Sequence, residues 1–472
     1  MSIPPGRLSP YHVVPGPSAP KRILLISYHA APSNEVGALR WAGMARYFAE
    51  RGWGFDILAA EPGTLARRND ELFGNLPSGT RLFGIPHVQP GLDRLVDYLL
   101  RWRKRIRPPV TGRKRPVEVE GAGPVPRTRG RWDGLSNAFH AWRMYAVEGA
   151  WARKAAVAGR KVFDPEVHHW IISSGPPHMT HEGGRLLAIW TGLPLITDFR
   201  DAWRFQEWVP LGPLWRRLAV RYETRVVRRS AIVVANVEPV RVLMQQAYPM
   251  ARVVTITNGT DDEPAPPSVH GRKFIIGYPG TIYVGRDPSP LFTAVSALVR
   301  NHKLTPDDIG IEFMGHSGPE VERRLQQLAA DHGLVGFLTI RPGGPRARAL
   351  EFMATCSVLV AFQQGSDLAV PAKVFEYMKF SAWLMVLAGP RSATAELLRG
   401  SGADVVDPSD ATELRRMLAT RYQSFREGNR PSPLADQPRY SRRFQAERLL
   451  GEMEATQTSR DRQGASRQTT DR

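Results

Sequence analysis

The strongest constraint on the fold is an alternation of short apolar runs with amphipathic stretches of ten residues or more, written twice along the chain. The first series begins at Lys21 with RILLISYH, followed by NEVGALRWAGMARYFAERGW, FDILAAE and RLFGIP. It resumes after residue 135 with HHWIISSG, MTHEGGRLLAIWTG, PLITDFR, PLWRRLAVRYETRVVRRS, AIVVANV, VRVLMQQAY and RVVTITN. A linker rich in acid and proline, GTDDEPAPPSVHGRK (259–273), breaks the rhythm. The second series then runs from FIIGYPG to ADVVD. Strands of this length, alternating with helices, form parallel sheets joined by right-handed crossovers. Two series predict an α/β chain of two doubly wound, Rossmann-like domains, 21–265 and 272–436, facing a cleft. Ligands in such sheets sit beyond the carboxyl ends of the strands, so the cleft is where function is expected.

The length of 472 residues accommodates this plan. The flanks are expected to lie outside the sheets: a Pro-rich disordered arm at 1–20, a basic loop insertion at about 100–135, a closing helix at 437–455 and a disordered polar tail at 456–472. The formal charge of +19 calls for an anionic partner. A nucleic-acid-binding protein ranks low among the readings, because prolines and glycines break up the basic block. A single cysteine, Cys356, cannot form an intramolecular disulfide, and no signal peptide or spanning run is evident. The expected location is cytoplasmic, peripheral at most on the inner face of the membrane. No G-x-G-x-x-G or Walker A loop follows any strand, and no D-x-D pair or Cys/His cluster has metal-ligand spacing. Neither a resident cofactor nor a metal is expected.

Four strand-end clusters carry the candidate chemistry. SYHAAPSNEVGALR (27–40) puts Gly37 at a helix start, where backbone N–H groups can approach an anion or the chain simply turns. SSGPPHMTH (173–181) holds His178 and His181, whose three-residue spacing without a carboxylate favours hydrogen bonding or packing over metal binding. TDFRDAW (197–203) ends an apolar strand with Asp198, Arg200 and Asp201, either as an internal ion pair or as a cleft edge. YPGTIYVGRDPSP (278–290) supplies Gly280 and Arg286, and arginine's planar fork suits a diphosphate. In VPAKVFEYMKF (370–380), Lys373 and Glu376 fall in the first turns of a helix that follows a strand. An arginine, a lysine, a helix start and a carboxylate placed for ribose hydroxyls together describe a nucleoside diphosphate site.

From about Lys21 to Glu454 the chain resembles GT-B-fold glycosyltransferases of family 4, of the bacterial polysaccharide and cell-envelope glycan type. The resemblance rests on SYHAAPSNEVGALRWAGMARYFAERGW, SSGPPHMTH, GLPLITDFRDAW, GTIYVGRDP and VPAKVFEYM. It implies an amino-terminal domain that receives the acceptor and a carboxyl-terminal domain that binds the nucleotide sugar. It further implies a retaining, metal-independent hexosyl transfer to a glycan or lipid-linked acceptor. Glu376 matches the second glutamate of the family's E-x7-E motif, implied to hold the donor ribose, and Arg286 matches the arginine implied to hold the diphosphate. Leu368 stands where the motif's first glutamate belongs, with Asp367 beside it. The family's usual lysine after Arg286 is absent, and Lys373 is the expected substitute. Arg200 and Asp201 stand where many members carry a histidine. Asp201, His178 and Arg200 are the expected catalytic group; Arg286, Lys373, Glu376, Gly280 and Gly37 the expected donor-binding group. YSRRFQAERLLGEME (440–454) resembles the family's segment that crosses back to the first domain. An epimerase of the same fold, acting on a nucleotide sugar without an acceptor, is the alternative enzyme.

GLDRLVDYLLRWRKRIRPP (91–109) reads as an amphipathic helix with its basic residues crowded at one end. It either packs on the first domain or lies on anionic lipid.

Overall fold

The computed structural model describes residues 8–65, 68–87, 131–205, 212–269, 271–281, 286–315, 318–363 and 366–470. The helix expected at 91–107 and most of the 100–135 insertion lie outside the described residues.

The first domain runs β1 (His12–Val13), β2 (Lys21–Ser27), α1 (Val36–Glu50), β3 (Trp53–Ala60), β4 (Arg81–Ile85) and α2 (Arg131–Val162). It continues with β5 (His168–Gly175), α3 (Thr180–Thr191), β6 (Leu195–Phe199), α4 (Pro213–Arg229), β7 (Ile232–Ala235), α5 (Glu238–Ala247) and β8 (Val253–Thr255). The second domain comprises β9 (Phe274–Pro279), α6 (Ser289–His302), β10 (Ile309–Gly315), α7 (Pro319–Asp331), β11 (Leu338–Pro342) and α8 (Arg346–Thr355). It closes with β12 (Val358–Phe362), α9 (Ala372–Tyr377), β13 (Trp383–Leu387), α10 (Ala393–Leu398), β14 (Asp404–Val406) and α11 (Ala411–Arg426), before α12 (Arg442–Thr470).

Both sheets are doubly wound. The first has the order β1-β4-β3-β2-β5-β6-β7-β8 and the second β11-β10-β9-β12-β13-β14. Strand pairs are parallel except β1 with β4. Strand order therefore reverses between β2 and β5 in one sheet and between β9 and β12 in the other, which is where such folds open a ligand crevice. Near-continuous apolar strands such as Ile23–Ile26 and Val358–Phe362 are buried, as sheets covered on both faces require.

The central scaffold of the first domain is electrostatic as well as apolar. Asp198 on β6 is fully buried and accepts from Arg40 Nη2 (2.9 Å) and Nε (3.0 Å), Trp41 Nε1 (2.8 Å) and Ser174 Oγ (3.0 Å). Arg40 also donates to Asn236, Asn258 and the Ile256 carbonyl, which ties α1 across the far half of the sheet. At the opposite strand ends, burial alone would raise the Asp56 carboxyl. Bonds with Arg81, His168 and Arg22 overcome that and hold it well below the usual carboxylate range.

Two expectations at the termini are corrected. Residues 8–20 are not a free arm: Tyr11 N donates to Leu82 O, Val14 N to Thr80 O, and the His12 ring stacks on Phe73 at 3.9 Å. The tail expected to be disordered from 456 is helical through Thr470, because α12 continues without a break. Ala446, Leu449, Leu450 and Met453 bury its first part against α1 and the first sheet. Beyond them Thr456, Gln457 and Thr458 make hydrogen bonds at i,i+4 spacing. Arg442 pairs with Asp261 and Arg443 with Glu50, so α12 crosses to the first domain and is held there.

Candidate functional site

The carboxyl end of β9 brings two cations together at a switch point. Tyr278, next to last on β9, is buried with its hydroxyl facing the loop that follows. Arg286 Nη1 donates to that oxygen at 2.7 Å and Lys373 Nζ at 2.9 Å, while the phenol donates to Thr281 O at 3.2 Å. One hydroxyl thus uses its donor and both acceptor positions to hold two cations side by side. The Lys373 ammonium also lies 4.2 Å from the Tyr278 ring centroid, within cation–π range.

Gly280 makes this approach workable. Its φ of +142° lies outside the range L side chains favour, and a Cβ there would collide with Lys373 Nζ. Tyr377, one residue after Glu376, donates to Pro279 O at 2.8 Å and fixes α9 against the end of β9. Burial, then the neighbouring Arg286, lowers the Lys373 ammonium to about 7, against a smaller opposing pull from Glu376. Two like charges meet here on one phenol oxygen. That arrangement stabilises an anion when one arrives and costs energy while it is absent.

Glu376, one turn along α9, faces outward. Its Oε1 accepts from Arg346 Nη2 (3.0 Å) and Nε (3.2 Å), and Arg346 reaches Glu263 of the linker at 3.9 Å. Leu368, at the motif's missing first glutamate, packs against the apolar core instead. Helix α9 has only six residues, so its contribution is the placement of Lys373 and Glu376 rather than a strong dipole.

The first-domain switch point is built differently. Arg200, just past β6, donates from Nε to Gly175 O (3.1 Å) and from Nη2 to Pro176 O (2.7 Å). Its guanidinium lies directly over Gly37, where any Cβ would collide with it. Gly37 therefore belongs with Arg200, on the first-domain side of the cleft rather than at the Arg286–Lys373 pair. His178 is buried and stacks on Trp203 with centroids 5.2 Å apart. Burial, reinforced by His181 and Arg200, pushes its imidazole well below the ordinary value. His181, bonded to Ser173 Oγ at 3.0 Å, is lowered to about 3 by burial and Arg200. His29, after β2, is lowered to about 4 by the same two causes. These imidazoles are neutral at pH 7. Asp201 is raised by burial, an effect that Arg200 opposes and Asp198 reinforces.

Among the described residues, no three His, Cys, Asp or Glu side chains gather as a metal site would require. The structure brings Arg286, Lys373 and Gly280 together, with Glu376 one turn away, and separately brings together Arg200, Asp201, His178 and Gly37. Sequence reasoning missed Tyr278 and Arg346. An aromatic residue inside an apolar strand reads as core, and Arg346 lies 30 positions from the carboxylate it meets.

No protein-family model matches the sequence, and no curated protein matches it. Solved structures do match. HepE from Anabaena, in complex with UDP-glucose, aligns over 92% of this chain and 99% of its own at 11% identity, with a TM-score of 0.55. The fold is GT-B. The α,α-trehalose 6-phosphate synthase of Burkholderia multivorans aligns over 94% of this chain and 99% of its own at 11% identity, TM-score 0.53. Sucrose-phosphate synthase from Thermosynechococcus elongatus aligns over 94% and 100% at 12% identity, TM-score 0.51. In this GT-B chain, the two clusters occupy the facing switch points of its two domains.

Proposed function

We propose that the protein is a glycosyltransferase that takes its donor as a nucleoside diphosphate sugar at the second-domain switch point. The observation that carries this reading is the convergence of Arg286 and Lys373 on the single Tyr278 hydroxyl. The fold supports it, and HepE, whose structure contains UDP-glucose, shares that fold. The diphosphate accepts from Arg286 and Lys373, and Glu376 takes the ribose hydroxyls once Arg346 yields its oxygen. As the glycosidic bond to the diphosphate breaks, negative charge grows on the leaving oxygen. Preorganised cations aimed there lower the barrier without having to reorient.

The acceptor, a glycan or a lipid-linked sugar, approaches from the first domain. Asp201, His178 and Arg200 line that side, with neutral His178 able to accept a hydrogen bond from the incoming hydroxyl. Transfer proceeds with retention of configuration and without a metal ion, Arg286 and Lys373 taking the cation's place. The role is polysaccharide assembly of the family 4 kind. A thermal-shift screen against UDP-, GDP- and ADP-sugars tests the reading. A cognate donor at a hundred times its Kd adds about 2.7 kcal/mol of stability, and the shift should survive excess EDTA. No shift with any nucleoside diphosphate sugar would refute it.

A further inference from the structure

Helix α4 carries a stripe of arginines that neither the fold nor the proposed reaction uses. Leu214, Arg217, Arg221, Arg225 and Arg228 recur at three- and four-residue steps on its solvent side. The opposite side buries Trp215, Ala219, Glu223, Val226 and Val227. Glu223 is the helix's single carboxylate, and it is turned inward to Tyr248 and Arg204. Among the described residues, no carboxylate forms an ion pair with any of the four stripe arginines.

Helix stability does not explain this arrangement. Arg217 with Arg221, and Arg221 with Arg225, are like charges at i,i+4, which weakens a helix. Arg216 and Arg217 stand in the first turns, where the macrodipole disfavours cations. Solvated basic faces on helices are normally interspersed with Glu or Asp, and this one has none outward.

The stripe continues onto neighbouring elements. Arg229 donates to Ala188 O (2.6 Å) and Leu193 O (3.1 Å), so the end of α4 abuts the end of α3. There Ile189 and Trp190 are 51% and 43% exposed, and Leu214 at the start of α4 is 60% exposed. Arg160 of α2 lies over the Trp190 ring at 6.0 Å, and Lys161 follows it. Burial, and then Arg460 of α12, lowers the Arg229 guanidinium, so the tail helix brings further positive charge to this corner.

We propose that this face seats the protein on an anionic phospholipid surface, with the arginines on lipid phosphates and Leu214, Ile189 and Trp190 entering the headgroup layer. Guanidinium forks match phosphate oxygens, and exposed aliphatic and indole side chains among cations are the pattern of an interfacial surface. Nucleic acid would engage the arginines and leave Leu214 and Ile189 without a partner. The inference is independent of the catalytic reading, because vesicle binding is measured without donor or acceptor.

The test uses the full chain and phosphatidylcholine vesicles with and without phosphatidylglycerol. Wild type should sediment with the anionic vesicles only and be released by high salt. Arg217→Ser/Arg221→Ser/Arg225→Ser should lower vesicle partitioning about a hundredfold, from about fivefold per arginine. Its Tm should be unchanged or higher, since like-charge repulsion is removed. Leu214→Ser/Ile189→Ser should weaken binding less while leaving its salt dependence intact. Three results would each overturn the proposal: wild type ignoring both vesicle types at low salt, the triple variant binding as wild type does, or tighter binding to duplex DNA than to anionic vesicles at equal salt.

Discussion

The two switch points face each other across one cleft and spend their charges in opposite ways. In the first domain, Asp198 and Arg40 satisfy one another in the core, and Arg200 is tied by hydrogen bonds to the Gly175 and Pro176 carbonyls. What remains around it is neutral imidazole and a carboxyl raised by burial. In the second domain, Arg286 and Lys373 meet on a neutral phenol. The same Rossmann-like topology thus yields a scaffolded cluster tied to backbone carbonyls on one side and two cations sharing a phenol on the other. An anion would offset the two adjacent cations of the second, and the proposed donor site lies there.

The largest expected effect breaks the scaffolded side. Asp198→Ala leaves the Arg40 guanidinium buried without its carboxylate and should cost about 3–5 kcal/mol of stability, read by urea unfolding. A loss below about 1 kcal/mol would mean the pair is not structural. On the second-domain side the pattern inverts. Arg286→Ala should leave the urea midpoint near wild type and weaken nucleoside diphosphate binding about tenfold or more, since a charged hydrogen bond contributes about 1.5–3 kcal/mol. Glu376→Ala should cut transfer about tenfold, also with the fold intact; wild-type turnover in it would remove Glu376 from the ribose role. Tyr278→Phe should weaken binding about fivefold, the value of one net hydrogen bond, by releasing both cations from their shared anchor. Unchanged affinity would show that Arg286 and Lys373 position themselves without it. Arg346→Ala has the smallest effect: its ion pair with Glu376 is 62% exposed on the arginine side, so stability should move by less than about 1 kcal/mol.

The sequence was legible where chemistry and position coincide. Apolar strands bounded by turn residues marked both sheets, and Gly280, Arg286 and Lys373 stood at strand ends where ligands bind. What escaped depends on tertiary packing. Tyr278 sits in FIIGYPG, where nothing distinguishes a hydroxyl aimed at two cations from a core aromatic. Helix α2, 32 residues long, follows the basic insertion, and its sequence has no clean apolar stripe. It is held by buried Tyr145 and Trp151 and by small residues between them and its end, as where Gly159 lets Leu187 and Leu58 pack close. The edge strand β1 has two residues, too short to show any period. Arg346 and Glu376 meet because α8 and α9 flank β12, which spacing cannot reveal.

The central claim is that a nucleoside diphosphate binds between Arg286 and Lys373, and its pH dependence tests that most directly. Lys373 is lowered from 10.5 to about 7, so above pH 7 the unliganded protein increasingly loses this charge. The unfolded chain keeps that proton to higher pH, so the unliganded fold gains stability as pH rises from about 7. An incoming diphosphate restores the ammonium by taking up a proton, so binding is tightest at or below the lowered value and weakens as pH rises. Isothermal titration of UDP, GDP and ADP between about pH 7 and pH 9 should find one that binds wild type, with affinity falling by up to about tenfold per unit. The same titration of Lys373→Met should give weaker binding with a flat profile. Failure of all three nucleotides to bind, or identical constants for wild type and Lys373→Met across the range, would contradict the account.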